Sequence, residues 1–103
     1  MSSALRVGIV GGLERNQARY EQIAAASGHE LDYHAGHTSS RSTAQLAALV
    51  ERCDLVVVTT DVNSHSAVRQ TRQLARRYGR RVVLARRCDV SHFKDLLRNV
   101  ARM

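Results

Sequence analysis

Four times along this chain a short apolar run gives way to a longer segment of helical period, and no other feature restricts the fold so strongly. The runs are Arg6 to Gly12, Glu30 to Ala35, Asp54 to Thr60 and Arg81 to Ala85, three of them rich in valine. Val56, Val57 and Val58 in succession suit a strand covered on both faces, as a parallel sheet between helices requires. Strands one and three should be central. With right-handed crossovers and a reversal of winding after the second strand, the expected order is 2-1-3-4, a flavodoxin-like or Rossmann-like α/β sheet with helices on both faces. Strands two and four become edges, and an uncovered edge invites a homodimer.

The segments between the runs carry stripes at i, i+3 and i+4: Tyr20, Ile23 and Ala24; Leu46, Leu49, Val50 and Cys53; Ala67, Thr71, Leu74, Ala75 and Tyr78; Phe93, Leu96, Leu97 and Val100. Start signals accompany them. Ser42 with Gln45 can form a capping box, Asn63 or Ser64 can cap the third helix, and Asp89 or Ser91 the fourth. Gly28 and Gly79 stand where the first and third helices should stop. No linker, repeat or proline breaks the 103 residues, so one domain over 1–103 is expected.

A chain of this length buries about two-thirds of its unfolded surface, enough for one core. No stretch approaches the ~20 apolar residues of a membrane span and no basic-then-apolar leader opens the sequence, so a cytoplasmic location without membrane contact is expected. Two cysteines, Cys53 and Cys88, are expected to be reduced. Sixteen basic residues oppose nine acidic ones for a net charge of +7, and Lys94 is the only basic residue that is not arginine. That balance favours anionic partners, or reflects an arginine-rich proteome.

In open parallel sheets the ligand crevice lies beyond the carboxyl ends of the strands. The loops expected there hold Gly11 and Gly12; His34 and His37; Thr59, Thr60, Asp61, Asn63, Ser64 and His65; and Arg86, Arg87, Cys88, Ser91 and His92. Four of the five histidines thus collect at one edge, with only His29 at the other. Imidazole is the commonest metal-binding side chain, so the cluster points to a divalent metal, a haem iron or a pH-sensitive anion site. His65 is the first-choice ligand and His34 the second, with His37, His92 and Cys88 behind them. The spacing of His34 and His37 fits a helix better than a strand end and is no zinc motif. Taken singly, each histidine reads more simply as a surface or hydrogen-bonded residue, and Asn63 and Ser64 as plain caps.

The segment from Gly8 to Gly12 is neither a dinucleotide nor a lysine-bearing phosphate loop, and a tight turn explains it equally well. Strand one lacks the acidic pair of a receiver domain. Arg69, Arg72 and Arg76 form a basic stripe opposite the apolar face of helix three, and no acid occurs between residues 62 and 88. Without a helix-turn-helix pattern and with 4% aromatic residues, this stripe reads as a solvated face or a phosphate-facing patch of a dimer before it reads as a nucleic-acid surface.

Val10-Gly11-Gly12, Tyr33-His34-Ala35-Gly36, Thr60 to Ala67 and Val90-Ser91-His92-Phe93 together resemble a small bacterial family catalogued as domain of unknown function 2325. The resemblance spans nearly the whole chain. It implies a compact cytoplasmic α/β module and picks out Gly11, Gly12, His34, Gly36, Asp61, Ser64, His65 and Phe93. Where that family tends to have His-His-Asp-Gly, this sequence reads Tyr33-His34-Ala35-Gly36 and lacks the carboxylate.

Three functions follow as expectations. The first is a non-catalytic sensing module holding a metal or haem through His65 and His34. The second is an anion binder for a phosphorylated ligand, nucleotide or nucleic acid, using Gly11, Gly12, Ser64, Arg86 and Arg87. An enzyme with His65 as base, and Asp61 as its orienter or Ser64 as nucleophile, ranks last, because neighbours at a helix start point in different directions.

Overall fold

The computed structural model describes residues 5–11, 14–36, 40–60, 65–86 and 90–101. Strand β1 (Arg6–Val10) is followed by a 3-10 turn (Glu14–Asn16) and helix α1 (Gln17–Ala26). Then come β2 (Glu30–His34), α2 (Ser40–Arg52), β3 (Leu55–Thr59), α3 (His65–Tyr78), β4 (Arg81–Ala85) and α4 (Val90–Ala101). The strands form one parallel sheet in the order β2-β1-β3-β4, as the winding rule requires. Val10 lies level with His34 on one side and Val58 on the other, which fixes where the site edge begins.

Alternation along the strands divides the core in two. Val7, Ile9, Leu55 and Val57 meet Tyr20, Ala24, Phe93 and Leu97 from α1 and α4. Val10, Val56 and Val58 meet Leu46, Leu49, Val50 and Ala75 from α2 and α3, together with Cys53 just past the end of α2. On the first face the Tyr20 and Phe93 rings meet edge to face, with centroids 5.2 Å apart. Such a pair contributes about 0.5–1.5 kcal/mol beyond its buried area. On the second face a Cβ on Gly8 would lie 2.6 Å from Leu49 Cδ2 and 3.0 Å from Cys53 Sγ. Gly8 is therefore a close-approach glycine that lets α2 lie on the sheet, not part of a ligand loop.

Several boundaries move from their expected positions. β1 stops at Val10 because Gly11 turns to φ +93°, and β3 ends one residue before Thr60. α2 begins at Ser40, so Ser42 lies inside the helix and cannot be its cap. Thr38, Ser39, Ser40 and Ser42 are all competent caps, and spacing alone could not choose among them. Ser91 likewise falls inside α4, while Asn63, Ser64 and Asp89 lie outside the described residues. Gly28 and Gly79 do end α1 and α3, with φ of +79° and +68°.

The amino edge of the sheet is closed by polar contacts. Asp32 Oδ2 accepts from Arg6 Nε at 2.8 Å, from Arg52 Nε at 3.0 Å and from the Cys53 thiol at 3.5 Å. Partial burial pushes the Asp32 carboxyl up, but the hydrogen bonds from Arg52 and Arg6 outweigh it and hold it below the usual carboxylate range. The same burial, reinforced by the Asp32 charge, pushes the Cys53 thiol up to about 12, which makes it a packing residue instead of a nucleophile. His29 belongs to this edge as well, and its Nδ1 accepts from the Leu5 N–H at 2.9 Å.

Candidate binding site at the carboxyl edge

Winding reverses between β1 and β3, because α2 carries the chain from β2 across β1 to the far side. All four α-helices start at the carboxyl edge, the side on which open parallel sheets place a ligand where their winding reverses. None of them carries an acidic residue in its first turn. Within those first turns no carboxylate opposes the partial positive end, while Asp61 and Asp89, which precede α3 and α4 in the sequence, lie outside the described residues.

The strand ends beneath are tied together by backbone. The Gly11 N–H donates to the His34 carbonyl at 2.8 Å, and the Thr60 N–H to the Ala85 carbonyl at 2.9 Å. Thr59 is buried, with its hydroxyl 3.4 Å from the Val10 carbonyl. These donors are spent within the protein and tie the carboxyl ends of the strands to one another.

His34 is only 7% exposed, and both of its ring nitrogens are engaged. Nδ1 accepts from the Gly36 N–H at 2.9 Å, which places the ring proton on Nε2, 2.9 Å from the Ser42 carbonyl it donates to. The imidazole therefore links the end of β2 to the first turn of α2 across a loop in which Gly36 adopts φ +91°. In this arrangement it has no lone pair for a metal.

The other candidates stand differently. His65 is the first residue of α3 and is exposed. Arg86 follows β4 and is also exposed. His92, in the first turn of α4, lines an open pocket of about 370 Å³ with Ser91, Asp95, Leu96 and Asn99. Phe93 belongs to the core. Gly12, His37, Asp61, Ser64, Arg87 and Cys88 lie outside the described residues. Among the described residues, no group of three or more His, Cys, Asp or Glu side chains could hold a metal.

Sequence reasoning placed His34 at the right edge but missed its two bonds, and it overlooked the Asp32 network. Only Gly8 left a trace, as a glycine inside a strand where a side chain should pack. No helix among the described residues is long and apolar enough to cross a membrane.

Comparison with known proteins agrees with the architecture. A solved protein of Burkholderia pseudomallei K96243, whose name relates it to pilus assembly, aligns with a TM-score of 0.57 over 99% of this chain and 92% of its own. At 12% identity this likeness is one of fold alone. Two UPF0751 proteins of Desulfitobacterium hafniense, from strains DCB-2 and Y51, are each 27% identical over 88 residues, 84% of this chain and 86% of theirs. The family model DUF2325, described as an uncharacterized protein conserved in bacteria, matches residues 6–100, and the chain belongs to that family.

Proposed function

We propose that this protein is a non-catalytic module that binds a small phosphorylated ligand at the carboxyl edge of its sheet. The observation that carries the reading is the gathering there of four helix amino ends with no acid in their first turns. Gly11 and Gly12 give the chain room to turn, the first turn of α3 with Ser64 supplies N–H donors, and Arg86 and Arg87 supply charge-assisted bonds. Metal or haem binding through His65 is the weaker reading, because His34 offers no second nitrogen as it stands. A homodimer belongs to the same proposal, with Leu84, 48% exposed on the edge strand β4, at its contact.

Titration calorimetry with ADP and with inorganic pyrophosphate tests the reading. Arg86→Gln should weaken binding about tenfold, the loss of one charge-assisted bond. His65→Asp adds a carboxylate to the first turn of α3. It should raise stability by about 0.3–1 kcal/mol while it weakens the anion, and these opposite signs separate ligand repulsion from misfolding. Affinity that ignores both substitutions, or absent binding to either probe, would end the proposal. A freshly purified protein carrying a metal or haem signal that disappears in His65→Ala would replace it with the second reading.

A further inference from the structure

A separate surface, the solvent side of α2 and α3, carries the most one-sided charge among the described residues. Arg69, Arg72 and Arg76 are exposed along α3, and none of them forms a salt bridge among the described residues, where the ion pairs join Arg6 and Arg52 to Glu30 and Asp32. α2, packed beside α3, has Glu51 as its only acid, and that lies in its last turn. Arg77 and Arg81 are exposed as well, whereas Arg80 donates to the Glu51 carbonyl at 2.6 Å and closes the end of α2. The α1/α4 side differs, since Arg19, Lys94 and Arg98 share it with Glu21 and Asp95.

We infer that the α2/α3 face is a docking surface for the sugar-phosphate backbone of double-stranded nucleic acid. From Arg69 to Arg76 the helix rises about 10 Å at 1.5 Å per residue, the axial span of about three phosphates along one strand. Arginine forks match phosphate geometry, and among the described residues none of these three is paired with a carboxylate. Single strands fit less well, because successive bases need aromatic platforms and Tyr78, the one ring on this face, is half-buried under the guanidinium of Arg77.

Beside the stripe, an open groove of about 320 Å³ between the two helices is lined by Thr43, Ala47, Gln70, Gln73, Leu74 and Arg77. There the Gln70 amide donates to Ser66 Oγ at 3.1 Å while its oxygen is buried without a partner. The docking is read through backbone charge and carries no sequence preference.

The test is fluorescence anisotropy of a labelled 20-base-pair duplex of arbitrary sequence between 50 and 200 mM salt. The triple variant Arg69→Gln, Arg72→Gln, Arg76→Gln should bind with a salt slope reduced by about 2 to 3, which corresponds to an affinity loss of about 40-fold at 50 mM relative to 200 mM. Arg19→Gln, Lys94→Gln, Arg98→Gln removes equal charge from the opposite side and should leave the slope nearly unchanged. All these side chains are exposed, and a thermal melt confirms that both variants fold. Equal losses in the two variants would show an effect of net charge alone and overturn the assignment. So would absent duplex binding, or binding confined to anionic phosphatidylserine vesicles.

Discussion

Against one face of the sheet α1 and α4 lay two aromatic rings, Tyr20 and Phe93. Against the other, α2 and α3 lay aliphatic groups, alanines and the Thr71 hydroxyl, with the Cys53 thiol just past the end of α2 and no aromatic ring among their fully buried side chains. The first face fills its volume with large rings that hold each other in place, and the second lets a helix approach closely over a glycine. They should fail in opposite ways, one by emptying and the other by crowding. Their outer surfaces diverge too, mixed in charge over α1/α4 and basic over α2/α3.

The largest expected effect breaks the aromatic face. Phe93→Ala should cost about 3–5 kcal/mol in urea denaturation, since the ring is fully buried and leaves Tyr20 without its partner. A loss under about 1 kcal/mol would mean that the face is not built around the ring pair. Next, Gly8→Ala tests crowding on the other face, with an expected cost of about 1–3 kcal/mol. Leu49→Val shortens the obstructing branch, so the double variant should lose less than the sum of the singles, and strict additivity would refute the close-approach account.

A smaller effect concerns the amino edge. Asp32→Asn should cost about 1 kcal/mol at neutral pH, a modest figure because both arginine partners are nearly half exposed and screened. Its carboxyl is held below the ordinary range, so its contribution is full above the unfolded value of about 4 and is lost as pH falls through the lower folded value. The stability gap between wild type and variant should therefore close as pH drops from about 5 toward 2. A gap that persisted in acid would assign the effect to packing instead of charge. Least of all, Leu84→Thr should change monomer stability by under about 0.5 kcal/mol. A larger, concentration-dependent drop would show that a second copy covers β4 in solution.

Strand order, the central pair and the two edges were legible because Val56 to Val58 and the four helical stripes are local periodic signals. The edge that carries the candidate site followed from winding alone. What stayed hidden depends on residues far apart in the chain: Gly8 against Leu49, Asp32 against Arg6 and Arg52, Leu5 against His29. His34 shows why residue type misleads. Its imidazole suggested a ligand, yet a buried ring that finds one donor and one acceptor is satisfied without any metal. The start of α2 was misjudged for a related reason, since several serines compete for one capping position and tertiary context selects among them.

His34 also joins two neighbouring loops by different means. Its main-chain oxygen moors the turn after β1 through Gly11, while its ring moors the turn after β2 through Gly36 and Ser42. Alanine at this position would keep the first mooring and cut the second. One rim of the crevice would slacken while the adjoining rim stayed taut, and amide exchange should quicken at Gly36 but not at Gly11. The turns after β1 and β2 thus share one anchor at the end of β2, the first held by its main chain and the second by its ring.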